Sequence, residues 1–365
     1  MRRLVPPCTA LISAVGLAAC SSPLALPASS GTSTIVAAPT TSATVATPNT
    51  SSPAAPTTSV PTTEAIGQVI LEPSAGMTPI YNFMRDATSA LTMTMYELVD
   101  PTAEQILAAD AGRGVHVRVL MDSALENSRN QPAQTYLASH GVAVAFAPAG
   151  RITHQKTICI NDDSCLIMSL NLVADDYAST RDLAVEASDP RDVSAIESTF
   201  QADFAGGTAP ATSNGDHLLW SPGSEPGLVG VIDGARHTLE VENEEMDSTA
   251  VTDALVAAAG RGVDVEVCMT EDSSYTAALD QIAAAGGHVH LYPDREGILY
   301  IHEKLVLADA GTSLAKAVVG SINFSTSSMN YNRELDIVLT EQDASGQLST
   351  LDSAFQSDFA GAPAM

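Results

Sequence analysis

The 365-residue chain contains only three lysines, and two of them stand in the same setting 148 residues apart, His154-Gln155-Lys156 and His302-Glu303-Lys304. Lysine is normally scattered over a surface as a solubilising charge. A chain that nearly abolishes it, yet keeps one beside each of two histidines, uses it locally. An imidazole attacks when neutral and donates a proton when charged, and an ammonium is a fixed cation for anionic oxygens. Presented twice, the pair is suited to holding and attacking a phosphate.

The two tripeptides belong to an internal repeat. At the same offset, Ala111-Gly112-Arg113-Gly114-Val115-His116-Val117 returns as Ala259-Gly260-Arg261-Gly262-Val263-Asp264-Val265, and Tyr96-Glu97 aligns with Glu244-Glu245. Downstream, Ser169-Leu170-Asn171 matches Ser321-Ile322-Asn323, and Arg181-Asp182-Leu183 matches Arg333-Glu334-Leu335. Both halves close on nearly one segment, FQADFAG from Phe200 and FQSDFAG from Phe355.

These residues need a scaffold, and each half has the same coarse order of elements. In the first, a helix over about 78–90 leads into a strand over 91–96. A second helix from about Thr102 ends at Gly112 with an Arg-Gly turn after it. A strand over 115–121 follows, then a helix running to His140-Gly141 and a strand over 142–146. The histidine segment is expected as a hairpin, before one more strand and a closing helix. Strands alternating with helices of these lengths indicate an α/β fold with a largely parallel sheet covered on both faces. The Gly/Pro/Ser/Thr-rich stretch near Gly206 to Gly215 separates the copies, so the expected units are 64–206, a linker over 207–216, and 217–365.

In the second half the pattern is His302, Lys304, then Asp309 after four intervening residues, followed by Gly320-Ser321 and Asn323. This resembles the phospholipase D superfamily, whose signature is H-x-K-x4-D with a downstream G-S/G-x-N element, and looks closest to exported phospholipase D-like and cardiolipin-synthase-like proteins. The resemblance covers both copies. It implies two tandem α-β-α sandwich repeats about a pseudo-twofold axis, with one active site inside a monomer. It implies a phosphoric diester hydrolase that divides one displacement into two through a phosphohistidine. By family habit His154 is the nucleophile and His302 the acid, although the order is open from sequence. Lys156, Lys304, Asn171 and Asn323 would hold the non-bridging oxygens as charge builds. Asp182 and Glu334 map to the carboxylates that fix a histidine's tautomer and stabilise its imidazolium. Ser169, Ser321, Asp309 and position 161 are supporting. The scheme calls for no metal and no cofactor, because the ammonium groups supply the charge. The first copy departs from the pattern: Asn161 stands at the aspartate position, with an expected cost in local stability rather than in chemistry.

The ends and the composition place this chemistry. Arg2 and Arg3, the apolar run from Leu11 to Ala19 and the box Leu17-Ala18-Ala19-Cys20 read as a lipoprotein signal over 1–19, with Cys20 lipidated; an ordinary secretory signal is the alternative. The apolar run is too short to span a bilayer. Residues 20–63, without charge and rich in Ser, Thr, Ala and Pro, are expected to be a disordered tether holding the exported enzyme at a membrane. Without the signal, 14 cationic side chains face 43 acidic ones, a net −29. That balance argues against nucleic acid, whose binding depends on phosphate neutralisation. The expected partners are therefore a phospholipid and a water or alcohol acceptor. A nuclease of the same superfamily, and a binding protein that keeps the fold without turnover, are the rivals.

Cys159 and Cys165 flank the turn Asn161 to Ser164, and export permits a disulfide there; free thiols are the other possibility. Cys268 is expected in the core. His288 and His290 are read as ordinary strand histidines rather than metal ligands. Of the acidic cluster Glu242, Glu244, Glu245 and Asp247, Glu245 and its counterpart Glu97 are placed either at the pocket or on a solvated rim. Lys316 is read as surface.

Overall fold

The computed structural model describes residues 66–211 and 213–365. The signal, Cys20 and the tether expected over 20–63 lie outside the described residues.

The first half runs β1 (Ile66–Glu72), α1 (Thr78–Arg85), β2 (Ala90–Met95), β3 (Leu98–Val99), α2 (Pro101–Gly112), β4 (His116–Met121), α3 (Asn127–Ser139), β5 (Ala143–Phe146), β6 (Thr157–Ile160), β7 (Ser164–Met168), β8 (Leu172–Val173), β9 (Thr180–Ala187) and α4 (Pro190–Phe204). The second runs β10 (Leu218–Ser221), α5 (Glu225–Gly234), β11 (Thr238–Glu242), α6 (Thr249–Gly260), β12 (Asp264–Thr270), α7 (Thr276–Ala284), β13 (His288–Tyr292), β14 (Tyr300–Ile301), β15 (Leu305–Ala308), β16 (Lys316–Gly320), α8 (Thr326–Asn330), β17 (Glu334–Thr340) and α9 (Glu341–Gly361). The first sheet has the order β1-β9-β7-β6-β2-β4-β5 and the second the order β10-β17-β16-β15-β11-β12-β13. Strand for strand these are the same sheet, so the duplication read in the sequence is one of architecture.

The sheets are mixed rather than largely parallel. Along the two strand orders, β2-β4-β5 and β11-β12-β13 run parallel, while β6, β7, β9 and β1 pair antiparallel. The reason is connection length. Parallel neighbours need a crossover of a dozen or more residues, which α2 and α3 supply, whereas the short turn after β6 can only reverse the chain. The opening helix also stops earlier than expected, at Arg85. The backbone amides of Thr88 and Ser89, which a longer helix would have absorbed, donate instead to Asn161 Oδ1 at 2.7 and 3.0 Å.

Three large apolar cores among the described residues hold this arrangement. One lies between the first sheet and α1 to α3, and a second between the other sheet and α5 to α7. The third joins the halves, with Ile167, Leu183 and Val185 of one sheet and Leu305, Val319 and Ile337 of the other, capped by Ile196 of α4 and Phe355 of α9. Met93, Met95, Met168 and Cys268 are fully buried within these cores. Burial of each large side chain contributes about 1.5–3 kcal/mol. Cys159 and Cys165 stand directly opposite in β6 and β7 and form a disulfide. No helix among the described residues is long and apolar enough to cross a membrane.

Candidate active site

Each histidine segment attaches to the other half. The amides of His154 and Gln155 both donate to the carbonyl of Arg333, at 2.9 and 3.0 Å, and Thr153 bridges the same residue. Reciprocally, β14 lies parallel to the start of β9, and the amides of His302 and Glu303 donate to the carbonyl of Arg181 at 3.1 and 2.8 Å. The two arginine side chains lock this exchange. Arg333 forks onto Asp203 in α4, through Nε at 2.7 Å and Nη2 at 3.1 Å. Arg181 forks onto Asp358 in α9, with Nη2 at 2.9 Å and Nε also bonded. Such two-point charge-assisted bonds fix orientation as well as distance. The aspartate of each duplicated closing segment thus anchors the arginine of the opposite half. Arg333 and Arg151 also donate to the carbonyls of Ala209 and Thr208, which ties the expected linker down over the junction.

The carboxylate next to each arginine follows the same crossing. His154 Nδ1 is 2.8 Å from Glu334 Oε2, and His302 Nδ1 is 2.7 Å from Asp182 Oδ1. Neither half therefore supplies by itself both the histidine and the carboxylate at its Nδ1. Ser169 Oγ donates to Asp182 at 2.6 Å while accepting from the amide of Leu183. In the second half the corresponding work falls to Ser328 Oγ and Asn332 Nδ2, which donate to Glu334 Oε1 at 2.5 and 3.0 Å. Ser321 serves only the backbone of Leu335. Ser328 and Asn332 carried no sequence signal, because they have no counterpart in the first copy.

The electrostatics favour a reactive imidazole at His154. Burial lowers its pKa below the ordinary value and Lys156 adds to this, against the opposing pull of Glu334. Burial alone would raise Glu334, but His154 and Lys156 outweigh it and hold the carboxyl below its usual range. Glu334 thus takes the Nδ1 side of the ring, and the neutral imidazole that burial favours has its Nε2 lone pair free for attack. Lys156 and Lys304 are almost completely buried, and each ammonium donates to the carbonyl of the histidine two residues before it. Burial, and next the nearby Lys304, bring the Lys156 pKa down to about 7. Two ammonium groups that repel one another in this way are positioned for a shared anion. Asn171 and Asn323 follow β7 and β16, and the side-chain carbonyl of each has no hydrogen-bond partner.

One difference between the halves lies directly against the histidines. Tyr96, after β2, packs edge-on to His154 with ring centroids 4.7 Å apart, and Lys156 Nζ lies 5.1 Å from the same ring. Its counterpart Glu244 turns its carboxylate onto Lys304, Asn323 and His302. The expectation had named the neighbours of these residues, Glu97 and Glu245. The residues that contact the histidines are Tyr96 and Glu244, both just past their strands, while Glu245 is half-buried close by, against Glu244 and Ser325. Glu97 is instead buried against Arg129.

A family model described as cardiolipin synthase, PLD-like domain matches residues 80–204 and 228–358, one match on each half. The chain belongs to the phospholipase D superfamily. Phosphodiester chemistry is the superfamily's trade. Its fold is similar to that of phosphatidylserine synthase from Haemophilus influenzae Rd KW20, with a TM-score of 0.59, 13% identity, and 82% of this chain against 87% of that one. It is also similar to polyphosphate kinase from Porphyromonas gingivalis, with a TM-score of 0.57 and 13% identity. There the match takes 78% of this chain but only 49% of the kinase, so the chain spans about half that protein's length. At such identities the likeness concerns fold alone. No curated protein matches by sequence.

Within the phospholipase D motif, Asn161 and Asp309 occupy equivalent places far from the histidines. Both have left-handed backbone, φ 58° and 54°. Asp309 Oδ1 accepts from the amides of Arg236 and His237 at 2.9 and 2.6 Å, just as Asn161 caps Thr88 and Ser89. The cap uses acceptor oxygens rather than charge, and asparagine tolerates the left-handed region well, so the departure leaves the geometry intact. Gly320 of the G-S element is required by space: an added Cβ would lie 2.4 Å from both Asp336 Oδ1 and the carbonyl of Leu335. His290 bonds the carbonyl of Phe359 and stacks on its ring, His288 sits beside Asp264, and Lys316 is exposed.

Proposed function

We propose that the protein is a phospholipase D-type phosphodiesterase that removes or exchanges phospholipid head groups at one site built by both halves. The observation that carries the reading is the reciprocal pairing of His154 with Glu334 and His302 with Asp182, each next to a buried lysine. His154 Nε2 attacks phosphorus as the bond to the head-group oxygen breaks, and His302 gives its Nε2 proton to the departing alkoxide. His302 then takes a proton from water, whose oxygen displaces His154 and releases phosphatidate; an alcohol in place of water gives phosphatidyl transfer. Lys156, Lys304 and the asparagine amides hold the non-bridging oxygens throughout. Burial, which favours the neutral form of His154, supports its assignment as nucleophile. The acidic composition, net −27 for the whole chain, supports a lipid rather than a nucleic acid. A lipidated Cys20 and the tether would keep the enzyme at a membrane that its charge would otherwise repel.

The test is turnover on mixed phospholipid vesicles and on DNA, with His154→Ala and His302→Ala alongside. Lipid turnover lost in both variants, and unchanged by a chelator, is the expected result. DNA cleavage without lipid turnover would transfer the reading to a nuclease, and activity surviving either substitution would remove the mechanism.

A further inference from the structure

The repeat gives the two sides of the site the same plan, but Tyr96 stands beside His154 where its counterpart Glu244 stands beside His302. Glu244 Oε2 lies 3.3 Å from Asn323 Nδ2, 3.4 Å from Lys304 Nζ and 3.5 Å from His302 Nε2. Its other oxygen accepts from Tyr300 Oη at 3.0 Å, which fixes the direction of the carboxylate. Those three donors are the groups assigned above to a phosphate oxygen and to the leaving group. A carboxylate oxygen of this chain therefore stands where a ligand oxygen would bind. It is ionised there: burial works against the charge, but His302 and Lys304 outweigh it and hold the carboxyl far below its ordinary range.

We propose that Glu244 is a specificity-determining residue that makes the site select monoanionic phosphodiesters over dianionic phosphate monoesters. The proposal rests on the phosphodiester reading above. An entering phosphate takes Lys304 and Asn323 from Glu244, yet the carboxylate stays within a few ångströms on its short side chain. Each negative charge on the ligand then meets one additional repulsion. At a separation of about 5 Å and an effective dielectric of about 20, that repulsion weakens binding on the order of a hundredfold per charge. A diester carries one charge, whereas a monoester loses its second proton near a pH of about 6 and carries two above it. The same discrimination hastens product departure, because hydrolysis converts a diester into a monoester. Tyr96 gives no such repulsion on the His154 side, so the selection comes from one half only. The titratable groups facing Glu244 are His302, Lys304, Tyr300, Tyr275 and Glu245 in its own half, and His154 and Lys156 across the junction.

Titration calorimetry with dimethyl phosphate and glycerol 3-phosphate, on the wild-type protein, Glu244→Gln and Glu244→Ala at pH 8 and pH 5, tests the proposal. At pH 8 both variants should raise the ratio of monoester to diester affinity at least tenfold, as about one extra unit of repulsion is removed. At pH 5, where both ligands are monoanions, that gain should collapse. A ratio unmoved at pH 8, or moved equally at both pH values, overturns the role of Glu244 while leaving the phosphodiester reading standing. Failure of every form to bind either ligand, with Lys304→Met making no difference, removes both together. The alanine variant and a thermal melt of each protein separate loss of charge from loss of fold.

Discussion

Replacing Lys156 with methionine removes a buried charge while keeping most of the unbranched stem. Lys156 is 1% exposed, and its ammonium donates to the His154 carbonyl at 2.7 Å. Burial first, and Lys304 second, take its pKa from 10.5 to about 7. At about 1.4 kcal/mol for each pH unit, that drop corresponds to about 5 kcal/mol held against the folded state when the lysine is charged. The sign follows from proton counting. Between pH 7 and 10.5 the unfolded chain binds the proton that the folded chain has released, so this group's contribution to stability rises with pH across that window, and the full penalty applies below it. Lys156→Met should therefore stabilise the protein by about 5 kcal/mol at pH 6 and by about 2 kcal/mol at pH 9. Turnover on vesicles should fall at least a hundredfold, since a donor to the developing charge is gone. Urea unfolding at the two pH values, alongside the vesicle assay, measures both effects. A destabilised variant, or a gain that is the same at pH 6 and pH 9, would refute the reasoning. The wild-type kcat/KM should also decline as pH rises through about 7, where the free enzyme loses the Lys156 proton.

Glu334→Gln removes the acceptor that fixes the His154 tautomer and should lower kcat by about 10³ to 10⁴, read in single-turnover vesicle assays with the fold intact by circular dichroism. Adding Asp182→Asn should cost little further, because the two pairs act in one reaction; full additivity would contradict a single shared site. Asp203→Asn leaves the Arg333 guanidinium buried without its counter-charge and should cost about 3–5 kcal/mol in urea unfolding. A loss near zero would mean that the crossed anchor holds nothing. Reducing Cys159–Cys165 should destabilise by about 2 kcal/mol, the chain-entropy value for so short a loop, with kcat unchanged because the bridge lies at the far end of β6 from His154.

Much of the fold was legible in the chain because its cues are local. Apolar runs and an Arg-Gly helix end mark β2, α2 and β4 to within a residue or two, and the end of α3 falls beside His140. What local cues missed were the edge strands β1 and β10 and the antiparallel share of each sheet. An edge strand is decided by the partner it lies against, and that partner, β9 or β17, comes more than 100 residues later in the chain. Cys159 and Cys165 show the boundary: their spacing allowed a bridge, but only the register of β6 on β7 sets them face to face.

The sequence by itself determined the chemical inventory, two histidines and two lysines repeated in phase, because residue type and spacing are linear properties. It could not say which carboxylate serves which histidine. In a duplicated chain, pairing within a half and pairing between halves are equally compatible with the spacing. Tertiary structure decides for the crossing, since the His154 and His302 segments find their backbone partners at Arg333 and Arg181, each one residue before the carboxylate of the opposite half. It also decides that Glu244, rather than its neighbour Glu245, reaches Lys304. Beyond the last residue of β11, the facing of a side chain is settled by its partners, here Tyr300 and Lys304, which lie 56 and 60 residues away in the chain.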